Sequence, residues 1–372
     1  MSPSDAQRTP FRPEARRLAS HLAALLEDLC ATQSVTGNEA EICEGVAEWF
    51  RPLAFHVERV GNALAAWDSA RERPRVLLCG HLDTVPPTGP FPEPRQDGDR
   101  ITGLGASDMK AGLAVMLGLA AGLPARTLPV SVGFAFYDRE EGPYEENGLE
   151  PLLDACPALA GAAFGVLLEP SDNGVQVGCL GSIQARVVIP GRRAHSARPW
   201  EGVNAIHSAA PLLAALSARR PQVAVAHGLR FPETLSATTA SGGIARNVVP
   251  DAFALNLNYR FAPGRDLVAA EAELRSFVAA HAPTATVEVV DRSPAGAVVL
   301  DHPMAIRLVE ESGQAVLPKW GWTDVARLTA RRIPAVNFGP GSPSESHQAG
   351  EGASVSAMVA GFRILWRVLG GG

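Results

Sequence analysis

Lysine is almost missing from this chain. Of 33 basic residues, only Lys110 and Lys319 are lysines. Such a bias toward arginine fits a GC-rich genome, and chance retention is the plainest account of Lys319. The five cysteines, Cys30, Cys43, Cys79, Cys156 and Cys179, include no CxxC pair. A thiolate zinc knuckle is therefore disfavoured, and the odd count argues against a complete disulfide framework. A reducing cytoplasm is the expected location. No basic run appears and the net charge is −6, so no nucleic-acid partner is expected. No apolar run reaches membrane-spanning length, and the N-terminal region lacks the apolar stretch of a signal peptide, so no membrane partner is expected either. The GLG at 103–105 does not continue as GxGxxG, and no GxSxG elbow occurs. Dinucleotide binding and serine hydrolysis are disfavoured accordingly.

What remains is an ordinary globular composition, 46% hydrophobic and 19% charged over 372 residues, long enough for two or more domains. The first half alternates short apolar runs with helical patterns. RVLLCG (75–80) ends in His81, VSVGFAF (130–136) runs into an acidic stretch, and FGVLLEP (164–170) carries Glu169 at its end. KAGLAVMLGLAAGL (110–123) reads as a helix between the first two, and leucines from Leu18 to Leu29 mark an amphipathic helix near the start. Apolar strands separated by helices predict a sheet buried on both faces, an α/β fold. The middle differs. IQARVVIP (183–190), a helix over 204–218, TLSATTASGG (234–243), FALNLNYRF (253–261), a helix over 266–281 and ATVEVVD (285–291) give the order β-α-β-β-α-β, a ferredoxin-like sandwich. IPAVNFGPG (333–341) reads as a late strand, with a closing helix from about residue 354. Residues 1–180 and 293–372 therefore read as one α/β domain, interrupted by an insert at 181–292.

In an open α/β sheet, functional groups gather at the C-terminal ends of the strands. His81, Asp83, Glu140, Glu141 and Glu169 occupy such ends, with Asp108 in a turn before the 110–123 helix and His347 in a late loop. Taken singly, each has a plainer reading. A histidine after a strand is an ordinary polar residue, an aspartate before a helix is an N-cap, and a Glu-Glu pair is a solvated loop. Together, two imidazoles and several carboxylates at one sheet edge predict a metal site. Zinc fits, with Co(II) or Mn(II) able to substitute. The set exceeds what one tetrahedral ion needs, and a shared carboxylate between two ions about 3.5–4 Å apart would use it all. In HLD, residues two apart in extended chain share a side, so Asp83 is expected to accept the second ring N–H of His81. In the adjacent pair of REEG, one carboxylate can bind metal while the other acts as general base. Glu145 and Glu146, beyond Gly142 and Pro143, keep the solvated reading. The other six histidines, at 21, 56, 207, 227, 281 and 302, lack partner patterns and are read as structural.

GHLDTVP, GLGASDMKAG, the DREE stretch, LLEP and the late His347 resemble, in order, the five ligand segments of the M20 family of zinc-dependent aminoacylases and peptidases. GRRAHSARP, GGIARNVVP and NYRF resemble that family's dimerisation, or lid, domain. The resemblance implies a zinc-aminopeptidase-like catalytic domain with an inserted ferredoxin-like lid, a homodimer through that lid, and two zinc ions per chain. His81 and Glu169 would hold one ion, Glu141 and His347 the other, and Asp108 would bridge, with a cis peptide bond after it. Glu140 would be the general base and Asp83 would orient His81. His195, supplied by the partner protomer's lid, would stabilise the oxyanion. Arg260 and Asn247 would bind substrate carboxylate or amide groups, with Thr323, Ser182, Gly339 and Gly341 lining the pocket.

Within the family, FYDREEGPYEENGL, RAHSARPWEGVNAIH, NYRFAPGR and WGWTDVARL are most similar to the actinobacterial enzymes that hydrolyse N-succinyl-L,L-2,6-diaminopimelate to succinate and L,L-diaminopimelate, a step of lysine and cell-wall synthesis. The substrate implied is thus a small N-acyl amino acid. Acetylornithine deacetylase, aminoacylase, dipeptidase and a non-catalytic metal-binding scaffold are the alternatives. Two departures stand out. Cys179 and Leu180 precede Gly181 and Ser182 where many of those enzymes carry arginine, so Arg192, Arg193 or Arg246 would have to substitute. The usual DEE is DREE, which displaces Asp138 by one residue.

Overall fold

A computed structural model describes residues 15–69, 73–123 and 128–370. The chain divides into two compact units. One comprises Met1–Val177, Val299–Leu317 and Thr323–Gly372; the other comprises Gly178–Val298 and Pro318–Trp322. The short return at Pro318–Trp322 left no signal in the sequence.

The first unit is built on an eight-stranded sheet. Its order is His56–Val60, Ala63–Trp67, Ser131–Tyr137, Arg75–His81, Phe164–Leu167, Ala335–Asn337, Gln176–Val177 and Leu317–Pro318. The four central strands, from Ser131–Tyr137 to Ala335–Asn337, pair in parallel. Their carboxyl ends therefore share one edge. Every residue of Ser131–Tyr137 is buried, as the uninterrupted apolar runs require of strands covered on both faces. Helix Ala111–Gly122 is apolar all round, and its residues from Ala111 to Ala120 are all buried. Gly112 permits this: a Cβ there would lie 2.3 Å from the Leu168 carbonyl oxygen. Ala15–Ala31 and Val355–Val368 pack on this helix. A second cluster, with Leu77, Cys79, Ala135 and Tyr137 against Leu149, Leu152, Val325 and Leu328, fills the other face. Each such leucine contributes roughly 1.5–3 kcal/mol by leaving water.

The late strand is shorter than the pattern predicts, covering only Ala335–Asn337. Pro334 and Pro340 cannot donate to a ladder, and Gly339 approaches the Leu168 and Glu169 carbonyls too closely for any side chain. Asp108 is not the N-cap of the following helix. It lies in a kinked turn, Ala106–Lys110, where Asp108 and Met109 leave the helical region and the Asp108–Met109 peptide bond is cis.

The second unit carries a five-stranded antiparallel sheet, ordered Gln222–Ala226, Leu229–Gly242, Ala252–Phe261, Gly181–Pro190 and Thr286–Ser293. Without its first strand this is the ferredoxin-like arrangement of the β-α-β-β-α-β order. The extra edge strand escaped the sequence pattern. It joins its neighbour through His227 and Gly228, both at positive φ, the geometry of a two-residue hairpin turn. The 204–218 segment forms two helices, Ala205–Ser208 and Ala210–Ala218, with Pro211 in the first turn of the second, where no N–H is needed. Phe253, Leu255, Leu257, Tyr259 and Phe261 alternate into the core beneath the helices. The opposite sheet face shows Asn256, Asn258 and Arg260. Among the described residues, no helix is long and apolar enough to cross a membrane. All five cysteines are free and buried.

Candidate metal centre and active site

Strand register sets the site. His81 pairs with Tyr137, and Cys79 pairs with Leu167, so Glu169 follows its strand by the same two residues that His81 stands beyond Cys79. The polar groups of three neighbouring strands thus emerge at one edge. His81 is buried, at 1% exposure. Its Nε2 faces Asp108 Oδ1 at 3.3 Å. Its Nδ1 lies 3.0 Å from the backbone carbonyl of Asp83 and 3.5 Å from that residue's Oδ1. The expected partner residue is present, but the shorter contact is to its main chain.

The Asp83 carboxylate has another task. It accepts the amide N–H groups of Glu140 at 2.9 Å and Glu141 at 3.0 Å, and the Thr36 hydroxyl at 2.9 Å. Arg139 makes this possible. Its φ of 58° lies in the left-handed region and turns two successive amides toward one acceptor. Burial alone would raise the Asp83 pKa, but His81 and these amides outweigh it and hold the acid below its usual range. Glu140 and Glu141, fixed at their backbones, send their side chains to different places. Glu141 Oε1 meets His347 Nε2 at 2.8 Å. Glu140 is pushed well above the usual carboxylate range. Burial is the main cause; His81 opposes it, and the charges of Glu169, Glu141 and Asp324 add to it. Glu145 and Glu146 are exposed, and Glu146 pairs with Arg139.

Among the described residues, three sets of donor atoms each lie within 4.8 Å of one another: His81, Glu140 and Glu141; His81, Asp108 and Glu169; and Asp108, Glu141 and His347. Asp108 belongs to two of them. Its Oδ1 faces His81, while its Oδ2 lies 3.7 Å from His347 Nε2. Burial lowers the proton affinity of His81, yet Asp108 and Asp83 overcome this and raise its pKa well above the ordinary value. The pKa of His347 is raised to about 9, first by Glu141, with burial opposing and Asp108 adding. The carboxylates that attract protons to these rings would equally attract divalent cations. Oxygen and imidazole donors of this kind suit zinc, cobalt or manganese.

The second-unit candidates lie elsewhere in the chain and are less enclosed. His195 and Asn247 are exposed. Their loops are joined by the Ser196 N–H donating to the Asn247 carbonyl at 2.9 Å, and the His195 Nδ1 accepts from Ala197 N–H. Arg260 faces Ser182 across the Ala252–Phe261 and Gly181–Pro190 pair, and its Nε donates to Asn258 Oδ1 at 3.0 Å. Cys179 and Leu180 are buried apolar residues. Arg193 pairs with Asp251, and Arg192 donates to the Glu201 carbonyl. Back in the first unit, Thr323 is buried beside Asp324, which Arg327 and Asn147 hold. A Cβ on Gly341 would lie 2.1 Å from the Ser107 carbonyl oxygen, so only glycine allows that loop to pass.

Sequence reasoning missed Glu351. This carboxylate is 4% exposed and accepts three amide N–H groups from the loop that carries Asp108. A glutamate between glycines in a late loop offered no periodicity to reveal it.

The arrangement has known counterparts. The model of peptidase family M20/M25/M40 matches residues 77–370. A putative succinyl-diaminopimelate desuccinylase of Mycobacterium tuberculosis is 39% identical over 352 residues, covering 94% of this chain and 97% of the relative. A succinyl-diaminopimelate desuccinylase of Corynebacterium glutamicum is 34% identical over 93% of this chain and 95% of its own length. The crystal structure of an M20 metallo-carboxypeptidase from Sulfolobus solfataricus superposes with a TM-score of 0.76 at 14% identity, covering 94% of this chain and 98% of that one, a likeness of fold. A two-part α/β fold with acids and imidazoles at its parallel sheet edge is thus that of a metal-dependent amidohydrolase. The chain belongs to peptidase family M20/M25/M40.

Proposed function

We propose that this chain is a dizinc enzyme that removes the succinyl group from N-succinyl-L,L-2,6-diaminopimelate, working in the cytoplasm as a homodimer. The observation that carries the metal reading is Asp108, common to two donor triads, with Glu140 beside both His81 and Glu141. The substrate reading is supported by relatives of that name at 39% and 34% identity over nearly the whole chain.

His81, Asp108 and Glu169 would hold one ion; Asp108, Glu141 and His347 would hold the other. A bound pair supplies Lewis acidity, polarising an amide carbonyl and lowering the pKa of a water. Glu140 takes the proton from the attacking water and returns it to the departing amine nitrogen as the C–N bond breaks. Its place beside both His81 and Glu141 supports this role. Asp83 fixes the backbone at Glu140 and Glu141 by accepting both their amides. Arg260, Asn247 and Ser182 serve recognition, His195 steadies the developing oxyanion, and Thr323, Gly339 and Gly341 shape the pocket.

The test is a side-by-side assay of succinyl-diaminopimelate, acetylornithine and a dipeptide, with Zn(II) or Co(II) added and metal content measured on the same sample. Preferential succinate release with two ions per chain is expected. Failure to release succinate would overturn the substrate reading.

A further inference from the structure

We infer that Glu351 is a positioning residue that aligns Asp108 with His347; the inference rests on the metal-binding reading above. Glu351 Oε1 accepts from the Ser107 and Asp108 amides, both at 2.8 Å. Its Oε2 accepts from the Gly105 amide at 3.1 Å. The Glu351 carbonyl also accepts from Gly103 N–H at 3.0 Å. One residue thus gathers the turn from Gly103 to Asp108, and its side chain fixes the amide of the shared ligand. A carboxylate buried this deeply is unfavourable unless its oxygens are satisfied, and here three N–H groups satisfy them.

Glu351 also follows His347 by four residues of chain, and its N–H donates to the Gln348 carbonyl at 3.1 Å. His347 needs such support. It sits at φ 61° in a half-exposed loop, a strained conformation for a non-glycine residue. Two further clasps join the same segments. Ser107 Oγ donates to the Ser342 carbonyl and accepts the Ser342 N–H. Arg100 grips Glu345 with two bonds of 2.6 Å. Of the three, only Glu351 bonds to a ligand residue itself.

The experiment is titration of metal-free protein with Co(II) chloride, followed by visible absorption, alongside thermal melting. Wild type, E351Q, H347A and S107A are compared. Gln keeps the shape but replaces one acceptor by a donor facing an amide. E351Q is expected to weaken about 10–100-fold the same Co(II) that H347A removes, as loss of an outer partner does. The other ion should change less, and S107A should change neither by more than a few-fold. If E351Q does not hold its fold, E351D serves: it keeps the charge but is one methylene short, and the same ion should weaken. Both Co(II) affinities within threefold of wild type, or equal weakening of the two, overturns the assignment. Wild-type protein that takes up no Co(II) overturns the metal reading beneath it, which separates the two failures.

Discussion

The two units treat their polar residues in opposite ways. In the first, His81, Asp83 and Glu169 are buried, and acids around them are fastened by other groups. Asp83 binds two amides, Glu351 binds three, and Asp324 lies between Arg327 and Asn147. In the second, His195 and Asn247 are exposed on loops, and Arg260 is half-buried on the sheet face opposite the helices. Bond making needs groups held to within a fraction of an ångström, so it is built on strand ends with a supporting layer. Recognition tolerates looser placement and is carried by loops and surface faces. The difference teaches where substitution should be costly for chemistry and where it should only alter preference.

The sharpest break would come at Glu140. E140Q should lose about 10²–10⁴ in kcat while metal content stays at the wild-type value; near-normal turnover in a steady-state assay would sink the base assignment. Next comes the buried charge. R327A leaves Asp324 uncompensated and should destabilise by about 3–5 kcal/mol in urea denaturation. Its exposed counterpart in the second unit, R193A, breaks a surface pair and should cost about 0–1 kcal/mol. H347A should lower metal content from two ions toward one per chain by elemental analysis, with affinity falling by at least about tenfold. R260A should leave metal content unchanged and raise KM about tenfold or more, since a charge-assisted bond is worth about 1.5–3 kcal/mol. An equal fall in kcat with KM unmoved would place Arg260 among the chemical groups and erase the contrast. E145Q should match wild type in both constants, because Glu145 is exposed beyond the turn that divides the acids.

The site's outline could be read from the chain because strand ends betray themselves. Continuous apolar runs stop abruptly at His81, at Asp138 and at Glu169, and parallel pairing brings those stops together. The ferredoxin-like order was equally visible, since Ala252–Phe261 alternates cleanly between core and surface. The hidden features depend on main-chain geometry. The pattern HLD suggested that the Asp83 carboxylate meets the His81 ring. Only the left-handed Arg139 shows why that carboxylate also gathers two amides. Glu351 was invisible because its partners are backbone groups 243 to 246 residues away, which leave no mark in side-chain spacing. The edge strand Gln222–Ala226 was missed because its turn is His-Gly, a pair with weaker hairpin signal than Asn-Gly.

The late loop has a consequence for time as well as place. Glu141 and His347 stand 206 residues apart, and Ser107 and Glu351 stand 244 apart. Contacts so distant form only after long stretches of chain have been closed, a slow and entropically costly step. Helix Ala111–Gly122 and the strand pairs around it can collapse earlier on local contacts. On refolding from denaturant, helical signal should therefore return ahead of Co(II) uptake. During synthesis this edge cannot be completed until the segment carrying His347 and Glu351 has emerged.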